Sequence, residues 1–131
     1  MKDVEENSLE KAKELQARTK SFALRIIRMF RSLPKTEEAR ILGRQVLRSS
    51  TSVAANYRAV CRARSKAEFT AKLGVVVEEA DETIFWLELL VESGIVPEER
   101  VRSLINEANE LLAIFAASRH TARQQSGDRG I

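Results

Sequence analysis

Apolar side chains recur at three- and four-residue steps along four stretches of the chain, and this spacing predicts four amphipathic helices. They are expected over about Leu9 to Ser32, Glu37 to Arg62, Ser65 to Glu92, and Pro97 to His120, the last fading by position 123. The connections between them are short. The pattern therefore predicts an all-α, up-down-up-down antiparallel four-helix bundle.

Local signals mark the ends of the predicted helices. Asn7 or Ser8 is a candidate cap for the first helix, and Thr36 is one for the second. The segment 65–68, Ser-Lys-Ala-Glu, has the spacing of a capping box, and Gly94 suits the left-handed position after the third helix. We expect a flexible N-terminus at 1–8, the bundle at 9–122 and a disordered tail at 123–131.

The second helix contains an unusual run of hydroxyl residues, Ser49 to Ser52. Such side chains compete for backbone carbonyls, so the run alone is also compatible with a loop. The alanines at positions 54, 55, 59 and 63 favour a seam of small residues where two helices pack closely. Asn56 lies on the apolar face, where we expect a buried amide that fixes the helix register, a ligand contact being the alternative.

Composition narrows the class of protein. Apolar residues make up 44% of the 131 positions and charged residues 31%, with two prolines and five glycines, which favours helices. No stretch approaches the ~18–20 apolar residues of a membrane span. The charged N-terminus lacks an apolar signal core, and the single cysteine, Cys61, cannot form an internal disulfide. We therefore expect a cytoplasmic protein without a membrane partner.

Charge is strongly segregated along the chain, although the formal net charge is only +3. Residues 40–72 hold eight basic side chains and one acid, whereas residues 78–110 hold ten acids and two bases. Two neighbouring helices of opposite sign would attract each other, and the hairpin geometry predicts that Arg48 lies near Asp81 and Glu82. The alternative is a basic stripe that is free to meet an acidic partner.

No catalytic constellation is evident. Glu79 and Glu82 share a helix face, but the only histidine, His120, lacks the matching glutamate that a di-iron bundle requires. Cys61 has basic neighbours but no catalytic histidine or aspartate partner, and a packed or idle thiol is the simpler interpretation. There is no glycine-rich phosphate loop and no zinc spacing. We predict a protein that is not an enzyme, with no catalytic residues, no metal site and no cofactor.

Nucleic acid is the leading candidate partner because basic residues gather around one end of the predicted bundle. Only Tyr57 and Phe69 are aromatic residues near them, so we expect contacts to the RNA or DNA backbone with weak sequence preference. The predicted nucleic-acid-binding residues are Arg40, Arg44, Arg58, Arg62, Arg64, Lys66 and Lys72.

The alternative function is that of a structural or adaptor oligomer with a protein partner. The third helix has an apolar face that is wider than one bundle core needs, which indicates burial between subunits. The predicted oligomer-interface residues are Phe85, Trp86, Leu89 and Val91.

Several segments together resemble one protein family. The sequences LRSSTSVAANYRA (47–59), SKAEFTAKL (65–73) and EEADETIFWLELL (78–90) are similar to the four helix bundle proteins encoded in intervening sequences of bacterial 23S ribosomal RNA genes. The segment LPKTEEARILGRQ (33–45) fits the family's first helix junction. The resemblance covers roughly Phe22 to Phe115 and rests on the joint pattern.

The resemblance implies a bundle that assembles as a homopentameric ring and has no established enzymatic activity. Distant relatives include the accessory variability determinant of diversity-generating retroelements, a basic pentameric barrel associated with nucleic acid and reverse transcriptase. The Ala55 to Arg58 and Glu79 to Thr83 segments place this chain nearer the intervening-sequence branch. It departs from the family at Ala59, where a glutamate commonly follows Asn-Tyr-Arg, so any ion pair made by that acid is absent.

Overall fold

Four long helices make up nearly all of the described chain. The computed structural model describes the backbone of residues 2–130 and the side chains of residues 6–125. The helices are α1 (Lys2–Arg31), α2 (Glu37–Val60), α3 (Lys66–Glu92) and α4 (Glu98–Gly130). The connecting segments are only five residues long, so each helix folds back along the one before it. This confirms the predicted all-α four-helix bundle.

The close approach of the helix backbones defines the order of the helices. Of the four neighbouring pairs, α2–α3 is the most extensive, followed by α3–α4 and α1–α2, and α1–α4 is the least extensive. Arg18 of α1 holds Glu107 of α4 through two hydrogen bonds of 2.7 and 2.8 Å, and Arg25 donates to Ser103. Later residues of α1 therefore contact earlier residues of α4, so these two helices are antiparallel and close the bundle.

The predicted signals at the helix ends are largely confirmed. Thr36 accepts a hydrogen bond from the Ala39 amide at 3.3 Å and caps α2. Gly94 has φ +79°, the left-handed conformation expected after α3. Pro97 precedes α4 by one residue and does not begin it.

The outer helices are longer than predicted. Helix α1 begins at Lys2, so the prediction that Asn7 or Ser8 caps it at Leu9 was wrong. Helix α4 continues past Arg123 to Gly130. Helix-compatible residues continue both helices beyond the predicted ends, and residues 6–11 and 123–125 are exposed. The boundaries at 8 and 122 and the flexibility of the ends stay predictions, and Met1 and Ile131 lie outside the described residues.

The core is a column of apolar side chains from all four helices. The predicted stripes supply most of it, with Leu15, Phe30, Leu42 and Phe69 only partly buried at its margin. Fully buried members include Phe22, Ile26, Val46, Val53, Leu73, Val76, Leu87, Leu90, Leu111 and Phe115. Tyr57 also belongs to the core, since its ring lies 5.0 Å from that of Phe115.

The hydroxyl run in α2 lies within the helix, as the small-residue interpretation predicted. Ser50 and Thr51 donate to the carbonyl of Leu47 at 3.2 and 2.8 Å, and Ser49 is fully buried. Asn56 is half-buried and donates to Ser52 of its own helix. Its amide is thus satisfied locally, and the expectation that it is buried in the core was wrong.

Candidate nucleic-acid interface

The turn between α2 and α3 fixes the positions of several predicted basic residues. Ser65 caps α3 by accepting a hydrogen bond from the Glu68 amide at 3.0 Å. The Glu68 carboxylate in turn accepts one from the Arg64 amide at 3.3 Å. This is the predicted capping box, with its return bond made one residue earlier than the usual cap position. These two hydrogen bonds fix the backbone conformation of the turn and therefore the positions of the basic residues beside it.

Basic side chains line a surface depression next to this turn. The depression has a volume of about 360 Å³ and is lined by Ala55, Arg58, Ala59, Arg62, Arg64, Glu68 and Lys72. Lys72 makes an ion pair with Glu68 at 3.8 Å, whereas no ion pair within residues 6–125 involves Arg58, Arg62 or Arg64. Lys66 is exposed at the start of α3. The α2–α3 end of the bundle thus carries uncompensated positive charge.

The remaining predicted arginines lie on the same exposed face of α2 but at its other end. At about 100° per residue, Arg40, Arg44 and Arg58 fall within about 40° of one another round the axis of α2, and Arg62 follows in the turn after the helix ends. Arg40 and Arg58 are about 27 Å apart along the helix at 1.5 Å per residue. Arg40 and Arg44 line their own groove beside Phe30, Leu33, Pro34, Lys35 and Ala39. Arg40 and Arg44 therefore lie apart from the five predicted residues at the α2–α3 end.

Arg48 lies between these two groups and turns towards α3. Its guanidinium contacts Glu79 at 3.2 Å and also contacts Glu82, and its Nε donates to Gln45. Trp86 Nε1 donates to the same Glu82 carboxylate at 3.1 Å. The predicted pairing with Glu82 is confirmed, but the pairing with Asp81 was wrong because a shift of one residue rotates Asp81 away to solvent.

These contacts also affect ionisation. The hydrogen bond from Arg48 lowers the pKa of Glu82, and burial opposes this effect only partly. The hydrogen bond from Trp86 and the positive charge of Arg48 act in the same direction. The α2–α3 attraction inferred from the charge segregation therefore exists, but in the described residues it engages Arg48 and leaves the arginines of the predicted site free.

A second basic groove, between α1 and α2, was not predicted. It has a volume of about 470 Å³ and adjoins the α2–α3 depression because Arg58 and Arg62 line both. Helix α1 contributes Gln16, Ala17, Lys20 and Ala23, and α2 contributes Thr51, Ala54 and Ala55. The small residues at 17, 54 and 55 could have indicated a close approach of α1 and α2, which would have placed Lys20 beside Arg58.

The two aromatic residues near the basic cluster do not offer free rings. Tyr57 is buried in the core, and burial together with the neighbouring Cys61 raises its pKa. Phe69 is half-buried against the core. Cys61 itself is exposed, so it is not the packed thiol of the simpler interpretation. Base stacking on Tyr57 is therefore excluded in this conformation, which favours contacts to phosphates.

The predicted interface residues lie on two sides of α3. Phe85 is 50% exposed and contacts Trp86 edge-on, with ring centroids 5.0 Å apart. Leu89 is half-buried, and helix geometry places it on the outer face with Phe85. Trp86 is also half-buried but packs against the margin of the core. Val75 of the same helix is 40% exposed. Val91 packs against the core on the opposite side of the helix. An apolar outer face on α3 is therefore present, with Phe85 as its most exposed aromatic residue.

The comparisons with known proteins agree with this architecture. A family model for the 23S rRNA-intervening sequence protein matches residues 11–117. The chain belongs to this family. A crystal structure of a protein of unknown function from the S23 ribosomal protein family of Bacteroides thetaiotaomicron is similar, with 31% identity and a TM-score of 0.78. The alignment covers 84% of this chain and 98% of that one. No curated protein matches the chain.

Family membership confirms the resemblance deduced from residues 22–115 and extends it to much of α1. The matched region contains all seven residues of the predicted nucleic-acid-binding site and the whole of α3. Among the described helices, none is long and apolar enough to cross a membrane. Within residues 6–125, no group of three or more His, Cys, Asp or Glu side chains could hold a metal ion.

Proposed function

We propose that this chain is a non-catalytic, cytoplasmic member of the 23S rRNA-intervening sequence protein family that binds the backbone of RNA or DNA. The observation that carries the proposal is the group of Arg58, Arg62 and Arg64 around one depression, with Glu68 as the only acid lining it. The proposed binding surface, here called the basic rim, comprises Arg40, Arg44, Arg58, Arg62, Arg64, Lys66 and Lys72.

The basic rim suits phosphates better than bases. Guanidinium groups form paired hydrogen bonds with phosphate oxygens, and each phosphate neutralised releases condensed counterions. Tyr57 is buried and offers no surface for stacking. We therefore expect binding that depends steeply on salt and only weakly on sequence.

We further propose that the chain assembles as a homopentameric ring, the assembly that the family resemblance implies. Five copies would repeat the basic rim around one axis and raise the number of phosphates that a single nucleic acid could contact. The exposed apolar outer face of α3 supports burial of this helix between copies.

A titration with two matched double variants tests nucleic-acid binding. Arg58→Gln/Arg62→Gln removes two charges from the rim, and Arg100→Gln/Arg102→Gln removes two exposed charges from the other end of the bundle. Fluorescence anisotropy with labelled RNA and DNA would be measured at 50 and 200 mM salt. The first variant should weaken binding by roughly tenfold or more at low salt and the second should match the wild type. No binding of either nucleic acid at low salt would overturn the proposal.

The alternative function is a structural or adaptor oligomer that binds a protein and no nucleic acid. The exposure of Phe85 and of Val75, both on α3, favours it. Trp86 is a poor residue for testing this because it is half-buried and bonded to Glu82. Phe85→Glu is cleaner, and Leu24→Glu on α1, at a site 47% exposed, is its matched control.

Light scattering after size-exclusion chromatography measures the mass of each variant. If α3 forms the subunit interface, Phe85→Glu should lower the mass towards that of a monomer while its helicity stays intact. Leu24→Glu should keep the wild-type mass. An unchanged mass for Phe85→Glu would remove this face from the interface.

A further inference from the structure

A cationic site that is separate from the basic rim lies in the groove between α3 and α4. The groove has a volume of about 400 Å³ and is lined by Val77, Ala116, Arg119, His120, Arg123 and Gln124. None of these residues belongs to the basic rim, and none is acidic. Within residues 6–125 no ion pair involves Arg119 or Arg123, whereas Arg18, Arg48 and Arg102 all have carboxylate partners.

The side chain of Arg119 packs against α3 at Gly74. A Cβ atom built at Gly74 would lie 3.3 Å from Cζ, Nε and Nη2 of Arg119, so the guanidinium packs directly on the backbone of α3. Glycine inside a helix costs about 1 kcal/mol relative to alanine. The contact gives this glycine a function, because a side chain at position 74 would compete for the space that the guanidinium occupies.

The packing leaves Arg119 with an unsatisfied donor. Its Nε is buried and makes no hydrogen bond within the described residues. Arginine stays protonated, so the charge cannot be relieved by loss of a proton. Buried donors are normally paired, and an unpaired one adjacent to a charge indicates a partner supplied from outside. An acceptor that carries negative charge would satisfy the donor and also offset the charge of the guanidinium.

The surrounding groups indicate which anion fits. Two guanidinium groups, an imidazole and the carboxamide of Gln124 line one groove, and guanidinium groups form paired hydrogen bonds with phosphate oxygens. A phosphate group has at least two unesterified oxygens, and as a monoester it carries up to two negative charges. Val77 and Ala116 add an apolar wall for the organic part of the ligand.

We propose that the α3–α4 groove is a phosphate-binding site in which Arg119, positioned by Gly74, and Arg123 hold a phosphate monoester or diester beside His120. The ligand can be a free nucleotide or a phosphate of a nucleic-acid backbone, since both present the same group. The site does not depend on the basic rim, because it shares no residue with it.

His120 offers a direct reporter, because it is the only histidine in the chain. Its imidazole Cε1 proton gives a single resonance in the proton NMR spectrum of the full chain. Inorganic phosphate, adenosine monophosphate and a short single-stranded RNA would be titrated at fixed pH and ionic strength, with chloride as the reference anion. We expect a saturable shift with phosphate and the nucleotide, with a Kd of about 1 mM, equivalent to about 4 kcal/mol of binding.

Three variants decide the outcome. Arg119→Gln and Arg123→Gln should each weaken phosphate binding at least tenfold, and Arg100→Gln on the same helix should bind as the wild type does. Arg123 is exposed, so its variant tests the site even if Arg119→Gln fails to fold. A shift that chloride reproduces, or equal binding by Arg123→Gln and Arg100→Gln, overturns the proposal.

The titration with RNA distinguishes a free nucleotide from a nucleic-acid backbone as the source of the phosphate. If RNA shifts the His120 resonance and Arg123→Gln abolishes that shift, the site holds a backbone phosphate. If the nucleotide alone shifts it, the site holds a free ligand. Both results support a phosphate site, and either can occur whether or not Arg58→Gln/Arg62→Gln affects nucleic-acid binding, so failure of one proposal leaves the other standing.

Discussion

Thr83 of α3 donates a hydrogen bond to Ser49 of α2, with 2.8 Å between the two hydroxyl oxygens, and both residues are fully buried. Ser49 in turn donates to the carbonyl of Val46 at 3.4 Å. Thr83 Oγ1 also lies 2.8 Å from the carbonyl of Glu79. The contact joins the two most extensively packed helices at a point where small side chains let them approach closely.

We expect Thr83→Val to destabilise the bundle by about 1 kcal/mol, the usual net value of one buried hydrogen bond. Ser49→Ala should cost less, because Thr83 keeps the Glu79 carbonyl as an acceptor. The double variant should cost less than the two single changes together, since neither hydroxyl is then left without its partner. Urea denaturation at one protein concentration measures all three. Strict additivity would mean that the two hydroxyls are not coupled.

The small-residue seam was predictable, but this bond was not. Serines and alanines at helical spacing indicated that α2 lies close to a neighbour. The residue opposite Ser49 depends on the register of α2 against α3, and a slip of one residue changes it. The same uncertainty explains Arg48, which was expected beside Asp81 and Glu82 but contacts Glu79 and Glu82. Periodicity fixes a face of a helix, whereas register depends on packing across it.

Alanine at the two buried helical glycines should have opposite effects on stability. A Cβ at Gly43 would lie 2.7 Å from Leu33 Cδ1 and 3.0 Å from the ring of Phe30. The atoms nearest to a Cβ at Gly74 are those of the Arg119 guanidinium at 3.3 Å, which can move outward along its flexible side chain. Replacing glycine by alanine stabilises a helix by about 1 kcal/mol in both cases. Overpacking against Leu33 costs about 1–3 kcal/mol, so Gly43→Ala should destabilise the protein on balance.

Gly74→Ala should instead leave stability unchanged or raise it by up to about 1 kcal/mol. It should also weaken phosphate binding at His120, because the displaced guanidinium no longer rests on α3. Thermal unfolding and the proton NMR titration measure the two effects separately. A stabilised Gly74→Ala variant that binds phosphate as the wild type does would show that Gly74 does not position Arg119.

The Arg48 pairs should make stability depend on pH in a specific direction. Arg48 lowers the pKa of Glu82 in the folded protein below the value of about 4.3 in the unfolded chain. The stabilisation is therefore present above pH 4.3 and is lost as the pH falls through the folded pKa. Arg48→Gln should cost less than about 1 kcal/mol at pH 7, since Arg48 is 47% exposed.

The cost of Arg48→Gln should shrink as the pH falls below about 4.3 and through the lowered pKa of Glu82 in the folded protein. Urea denaturation of both proteins at pH 7 and at low pH provides the comparison, and high salt at pH 7 should also reduce the difference. A difference in unfolding free energy that stays constant from pH 7 to pH 3 would assign the effect to the packing of the Arg48 stem.

The candidate site was only partly predictable from the sequence. The arginines at 58, 62 and 64 were expected together, and the α2–α3 turn brings them together because its capping box sets the local backbone. Lys20 was missed because it lies on another helix, and its approach to Arg58 depends on the α1–α2 packing. Tyr57 was expected near the basic cluster, but its ring turns inward against Phe115. Side-chain direction at the margin of an apolar stripe is decided by tertiary packing.

The arginine pair at the start of α2 and the pair at and just after its end can be compared directly. Arg40→Gln/Arg44→Gln and Arg58→Gln/Arg62→Gln each remove two exposed charges, and Arg40 and Arg58 are about 27 Å apart along α2. If one duplex contacts both pairs, each double variant should lower the slope of log Kobs against log salt by about 2. The quadruple variant should lower it by about 4, because well-separated contacts add. Anisotropy titrations with a 20-base-pair duplex measure the slopes. A wild-type slope for Arg40→Gln/Arg44→Gln would restrict the basic rim to the α2–α3 end, since exposed arginines that contact no phosphate release no counterions.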